Sequence, residues 1–417
     1  MKKEISVKHL SGNQPPATTP EHPAMQETSN GPLHLSPKVR SIVCGLAVSL
    51  LLSLIEVGVG PPRALAFSQH LAQNHQPTIS TPQLIFAQAA NAVARLYALH
   101  SDTGAVAWTY ANSAVTNHTN AVNGRLILSG SGTLMALNAV NGQVIWTVRG
   151  PSFSTPATNE DASGMMYIGG NGGIYAYHAS TGQLAWYSNP HPAGSVAFFL
   201  TELIVANGII YGGANDGIYA LDKLTGRKIW GNTSLVWIAN TAYSNGLYYV
   251  VPSVKNSDGD YRPSNILYAF SASTGAFVWS FRASESIPTG IRAVNGLVYF
   301  ITADSQVYAI KESSPSLVWR TPLPYGPNTP NALTGGNVYV GTTFGGLYSL
   351  AWDTGRILWH YADSVTAASH TPRPTIAGLV YVGYEGGYVY AFDPSAARYV
   401  WRAYFEPYMT TPITVWW

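Results

Sequence analysis

A tryptophan that returns eight times at almost fixed spacing constrains this chain more than any other feature of its 417 residues. The segments are LYALHSDTGAVAW ending at Trp108, LMALNAVNGQVIW at Trp146, IYAYHASTGQLAW at Trp186, IYALDKLTGRKIW at Trp230, LYAFSASTGAFVW at Trp279, VYAIKESSPSLVW at Trp319, LYSLAWDTGRILW at Trp359 and VYAFDPSAARYVW at Trp401. Successive tryptophans lie 38, 40, 44, 49, 40, 40 and 42 residues apart. A period of about 40–50 residues built from short β runs is that of a propeller blade, a small sheet that must stack on its neighbours to bury its faces. The fold class expected is therefore all-β: an eight-bladed β-propeller of four-stranded blades.

The unit ending at Trp359 shows the strands one by one. Runs at 329–333, 338–341, 347–350 and 356–359 are separated by turns at Gly335-Gly336-Asn337, Phe344-Gly345-Gly346 and Asp353-Thr354-Gly355. The first turn of a blade is Asn-Gly in several copies, namely Asn123-Gly124, Asn207-Gly208, Asn245-Gly246 and Asn295-Gly296. Both residues tolerate positive φ, which makes the pair a strong hairpin signal.

The third turn carries Ala, Gly and Trp at one spacing: Ala98/Gly104/Trp108, Ala136/Gly142/Trp146, Ala176/Gly182/Trp186, Ala220/Gly226/Trp230 and Ala269/Gly275/Trp279. The glycine permits a left-handed turn, the Thr or Asn before it can bond the local backbone, and the small Ala leaves room for an indole. Pro315 replaces the glycine in the sixth copy, Ser349 the alanine in the seventh and Ala397 the glycine in the eighth, so those corners are expected to differ. The constellation resembles the tryptophan-docking motif of the pyrroloquinoline-quinone-like (PQQ-like) propeller repeats. That superfamily holds the quinoprotein alcohol dehydrogenases and the propeller lipoprotein of the bacterial outer-membrane assembly machine. The resemblance covers residues 84–417.

Strand bookkeeping predicts how the ring closes. The first unit begins at Leu84-Ile85-Phe86, which matches a second strand, while 409–415 after the last tryptophan matches a first strand. The C-terminal strand is expected to complete the N-terminal blade and leave no open edge. Trp416 and Trp417 lie outside the repeat spacing and are expected to matter little for stability.

Ahead of the propeller, residues 1–40 are rich in Pro, Thr, Ser, Gln and His and are expected to be disordered. An apolar run at 42–55 follows, and Ala64-Leu65-Ala66 supplies a small–x–small cleavage pattern. Residues 41–66 read as a signal peptide cleaved after Ala66, with an uncleaved anchor over 41–60 as the alternative. Residues 67–83 are a linker. Either way the propeller is extracytoplasmic, secreted or held at the cell membrane only through that segment. The sole cysteine, Cys44, lies in the apolar run, so the propeller must be stable without disulfides. Charged residues are only 10% of the chain, and the part after residue 66 has equal numbers of basic and acidic residues. A nucleic-acid partner is thereby excluded from the expectations.

The PQQ-like resemblance implies a quinone, a calcium ion and an aspartate base. The adjacent cysteines that accompany the quinone in those enzymes are missing, as is Cys-x-x-Cys-His for haem, and the calcium set has no residue-by-residue counterpart. In Asn256-Ser257-Asp258-Gly259-Asp260 oxygens stand at positions 1, 3 and 5, but Tyr261 and Leu267 occupy the Gly and Glu positions of a calcium loop, so the segment reads as a solvated turn. The expectation is a monomeric, non-enzymatic module without cofactors, metal or catalytic residues, binding a protein, peptide or envelope ligand. A PQQ- and calcium-dependent oxidoreductase with a reduced site is the alternative.

One loop exceeds what its turn requires: 252–265 inserts Lys255, Asp258, Asp260, Tyr261 and Arg262 and accounts for the longest tryptophan interval. Arg292 and Arg373, near the starts of first strands, are expected to point into the central funnel on the same face, with Trp237 on a neighbouring entry loop. Trp237, Asp258, Asp260, Tyr261, Arg262, Arg292 and Arg373 are the candidate ligand-binding residues.

Overall fold

The computed structural model describes residues 83–89, 95–111, 117–118, 121–130, 132–150, 152–195, 197–288, 290–324, 332–334, 337–342, 346–362, 373–384, 386–405 and 413–416. All of them belong to one compact unit within 72–417. The expected disordered segment 1–40, the signal or anchor 41–66 and the linker up to residue 82 lie outside the described residues. Among the described residues no helix is long and apolar enough to cross a membrane.

Eight antiparallel sheets follow one another along the chain. Blade 1 has the order 95–100 between 106–111 and 84–89, with the C-terminal strand Thr414–Trp416 added on the inner side. That strand pairs Trp416 with Leu84, Val415 with Ile85 and Thr414 with Phe86, so the ring closes as the strand count predicts. Trp416 ends that strand. Its carbonyl accepts the Gln83 N–H at 2.9 Å and its side chain packs between blades 1 and 2. Blade 3 has three regular strands; Phe153 bridges to Gly170, and Thr155 Oγ1 accepts the Gly169 N–H at 3.0 Å where a first strand would pair.

The core lies between blades. Each hydrophobic cluster joins two neighbouring sheets, such as Tyr249, Leu267 and Trp279 of blade 5 with Val298, Phe300 and Tyr308 of blade 6. The cluster of Ile85, Tyr97 and Leu99 with Tyr381, Val389 and Trp401 joins blade 1 to blade 8 and takes in Ile413 and Val415. No blade owns a core, so stability is set by neighbour contacts around the ring.

The repeat motif explains those contacts. Every fourth strand carries a β-bulge one residue before its tryptophan, opposite the small residue of the third strand, as at Ala98↔Trp108 and Ala220↔Trp230. The indole then lies on the third-turn glycine of the next blade. A Cβ on Gly142 would meet the Trp108 ring at 2.6 Å, and one on Gly104 would meet Trp401 at 2.5 Å. The glycine, more than the alanine, thus makes room for the indole. The indole N–H donates to a carbonyl three residues before that glycine: Trp108 to Ala139 at 3.0 Å, Trp230 to Ala272 at 2.9 Å and Trp401 to Ser101 at 2.8 Å. The corners with Pro315 and Ala397 do turn differently, closing through Ser316 N–H to Ser314 O and Arg398 N–H to Ala396 O, but the corner opposite Ser349 turns like the others, because it keeps Gly355 at φ 68°.

Candidate binding face

Because strands alternate in direction, the first and third turns of every blade share one face, here the corner face. The turns between second and third strands share the other with the loops that enter each blade; this is the entry face. On the corner face Asn123, Asn207, Asn245 and Asn295 all hold φ between 48° and 55°, as the Asn-Gly turns require. The entry face repeats far less closely.

In blade 5 the second strand, Leu247–Lys255, runs past the sheet and folds back on Tyr261–Pro263 as a two-stranded ribbon. Ser253 pairs with Pro263, Val254 with Arg262 and Lys255 with Tyr261. Asn256 closes the tip: its Oδ1 accepts the N–H groups of Asp258 at 3.0 Å and Asp260 at 2.8 Å. That oxygen is spent within the turn, and among the described residues no three His, Cys, Asp or Glu side chains converge on a metal position. Asp258, Asp260, Tyr261 and Arg262 are all exposed.

The ribbon leans on the entry loop of its own blade. Tyr261 stacks on Trp237 with centroids 4.3 Å apart and planes at 22°, and Phe198 meets Trp237 edge-on at 6.0 Å. Trp237 holds φ +51°, a costly conformation for a bulky residue that persists only where the surroundings fix it. They do fix it: Trp237 N–H donates to Asn215 O at 3.0 Å, and Trp237 O accepts from Ser253 N–H at 2.7 Å. The ribbon's edges are short, with Pro263 lacking a donor and Lys255 on the other side, so they suit recognition by side chains better than strand addition.

Trp237, Tyr261 and Arg262 therefore come together with Asp258 and Asp260 at the tip. Arg292 does not join them. It opens blade 6's first strand, Arg292–Val294, and pairs with Tyr299, which puts it level with Ala242 of blade 5. Five residues of extended chain, about 16 Å, separate that level from Trp237. Arg373 begins the first strand of blade 8, Arg373–Ala377, opposite Gly383; its side chain is outside the described residues.

Sequence reasoning missed the group beside Trp237. His191, in the loop entering blade 4, donates its Nδ1–H to the Asp216 carboxylate, 2.9 Å from Oδ1 and 3.1 Å from Oδ2, and Ser195 Oγ donates to Asp216 Oδ2 at 3.1 Å. The imidazole side chain is 0% exposed, set against Phe199 and Tyr219. Burial pushes its pKa below the ordinary value, against the pull of Asp216. Ser195 bonds the carboxylate rather than the imidazole, so these residues do not form a nucleophile–base pair. The signal was present in the 44-residue interval between Trp186 and Trp230, but His191 has no counterpart in other repeats and no ligand spacing.

Comparison with known proteins agrees with this architecture. The family described as outer membrane protein assembly factor BamB matches residues 92–236 and 263–407. The chain belongs to this family of PQQ-like β-propellers. The stretch between the two matches holds Trp237 and most of the ribbon. BamB from Moraxella catarrhalis is 16% identical with a TM-score of 0.54, covering 69% of this chain and 84% of that one. The computationally designed protein Ika8 is 15% identical with a TM-score of 0.60, over 76% and 98%. The dihydro-heme d1 dehydrogenase NirN, solved in complex with DHE, is 11% identical with a TM-score of 0.66, over 82% and 77%. These likenesses establish the fold. No curated protein matches the sequence.

Proposed function

We propose that the chain is an exported, non-enzymatic binding ring of the cell envelope whose entry face takes a protein or peptide partner through the Trp237–Tyr261 platform and the charged ribbon. The observation that carries this reading is Trp237 itself, a bulky aromatic locked in a left-handed conformation and stacked on a half-exposed tyrosine that belongs to an extension of the blade. Strain of that kind concentrates at ligand sites, and exposed aromatics with arginine nearby supply interface anchors. The family's description as an outer membrane assembly factor supports a protein partner and an envelope location. The apolar run at 42–55 and a propeller free of cysteine support export.

The test is photo-crosslinking in intact cells from two positions, Arg262 on the ribbon and Leu224 on the corner face, which is 68% exposed. Adducts from position 262 and none from 224 are expected. Adducts from 224 alone would put the partner on the other face.

A further inference from the structure

The platform is tied to a buried histidine through one turn. Asn215-Asp216-Gly217, between the second and third strands of blade 4, holds two entry loops at once. Asp216 takes His191 and Ser195 of the loop entering blade 4. Asn215 Oδ1 accepts the Phe198 N–H at 2.9 Å, and Asn215 O accepts the Trp237 N–H of the loop entering blade 5. Phe198 then touches the indole of Trp237, which stacks on Tyr261. A continuous set of contacts runs from His191 to the ribbon in which every link is a hydrogen bond, a peptide unit or a ring contact.

The histidine is placed so that it cannot carry a proton comfortably. Nδ1 faces Asp216, but Nε2 is buried with no hydrogen-bond partner. A second N–H there would be left unpaired, and a buried, unpaired donor costs its full desolvation. The groups facing the ring are Asp216 from the turn, Tyr219 from the third strand, Lys228 from the fourth and the apolar Phe199 from the entry loop. Lys228 Nζ donates at 2.7 Å to the carbonyl of Pro190, the residue before His191, and adds repulsion toward an imidazolium. Asp216 alone favours the charged form.

We infer that the His191–Asp216 clasp is a proton-sensitive latch on the entry face, closed with neutral imidazole and released on acidification, so that the loop at 189–195 and the Trp237–Tyr261 platform loosen together. This rests on the reading of that platform as the binding site, but it concerns the free ring and is tested without a partner. The sign follows from linkage. The closed state binds its proton below the ordinary imidazole pKa of about 6.5, so the open state is the better proton acceptor. Closure is fully favoured above about 6.5 and weakens by about tenfold per pH unit below it, until the closed state's own pKa is reached.

The experiment is hydrogen–deuterium exchange of the full chain between pH 7.5 and 5, corrected for intrinsic rates, beside His191→Asn, which keeps a donor toward Asp216 and cannot titrate. Protection of 189–195 and 234–263 is expected to fall as pH drops below about 6.5 in the parent ring. Protection of the corner at 271–276 should hold, and His191→Asn should show no such step. An identical pH profile in parent and variant would overturn the latch. Should the variant fail to fold, the ring-carbon NMR titration of His191 decides instead: a midpoint below about 6.5 with loss of the Trp237–Tyr261 contact is expected, and a midpoint at or above that value would contradict it. Loss of crosslinking at Arg262 with an intact latch would sink the binding reading and leave the latch standing.

Discussion

The corner face and the entry face of the ring obey different rules. At most corners one arrangement recurs: an indole on the next blade's glycine, its N–H on the carbonyl three residues earlier, the Trp186 N–H being an exception. At the entries less recurs: blades 3 and 4 share a threonine, Thr155 or Thr201, whose Oγ1 accepts a second-strand glycine N–H at 3.0 Å, but the side-chain ties beyond it differ. Blade 4 uses Asp216 with His191 and Ser195, blade 5 stacks Tyr261 on Trp237, and blade 6 uses Asp304, which accepts from Ser284 Oγ at 2.7 Å and from Thr302 Oγ1. Closing a ring of eight requires every blade to meet the next at nearly the same angle, so the residues that set the angle vary at few corners, those with Pro315, Ser349 and Ala397. Residues at the opposite ends of the same strands bear no such restriction and are free to diversify.

The largest break in this comparison is to open the ring. Deleting 413–417 removes the strand that pairs with 84–86 and takes Ile413 and Val415 from the blade 1–blade 8 core. Two unpaired edges and an apolar face result, and aggregation or loss of cooperative melting is expected by gel filtration and calorimetry. Unchanged monomer and melting would show that closure lies elsewhere.

Next comes the contrast between two corner tryptophans. Trp230→Ala is expected to cost about 3–5 kcal/mol in urea unfolding, as other buried aromatic truncations do. Trp230→Phe strands the carbonyl of Ala272 and is expected to cost about 1–3 kcal/mol. Trp186→Phe should cost less than about 1 kcal/mol beyond its packing change, because the Trp186 indole N–H has no partner. Equal costs for the two phenylalanine variants would show that the indole hydrogen bond adds nothing.

Trp237→Gly should separate stability from function. It gives up the stack on Tyr261 but relieves a left-handed φ worth about 1 kcal/mol or more, so the net stability change is expected to be about 1 kcal/mol or less while partner binding is lost. A large drop in melting temperature would make Trp237 a structural residue.

The smallest effect is electrostatic. The blade 3–blade 4 corner, where Trp186 lacks its hydrogen bond, carries another tie: Lys223 Nζ donates to Asp161 Oδ2 at 3.0 Å. Burial works against the Asp161 carboxylate, yet hydrogen bonds from Ser163, Lys223 and the Met165 N–H hold its pKa down at about 2. A depressed carboxylate stabilises the fold above its ordinary pKa, and that contribution fades as pH falls from the model-peptide value of 3.8 to about 2. Lys223→Met should shrink this acid-induced loss, measured as the urea midpoint against pH.

The repeat face was legible in the sequence because its physics is periodic. The Trp spacing, the Asn-Gly turns and the surplus C-terminal strand each fix a local conformation whose copies must agree. What could not be read were contacts that occur once. His191 and Asp216 are 25 residues apart and meet only because alternating strands bring an entry loop against the turn of its own blade. A row of tyrosines was missed for a related reason. Tyr299, Tyr339 and Tyr381 send their hydroxyls to Trp352, Pro394 and Ser101, the same carbonyl positions that the tryptophans use, from strands whose apolar runs give no hint of a polar role. Arg292 does open its strand as expected, and strand starts differ in depth from blade to blade.

One paired measurement tests the division between the faces most directly. Tyr261→Ser and Trp230→Phe are compared in the full chain for melting temperature and for retention on immobilised envelope extract. The account predicts that Tyr261→Ser melts within a few degrees of the parent and is retained at least about tenfold less, a loss of about 1.4 kcal/mol or more. It also predicts that Trp230→Phe melts lower yet is retained as well as the parent. Full retention of Tyr261→Ser, with retention lost only in Trp230→Phe, would contradict it.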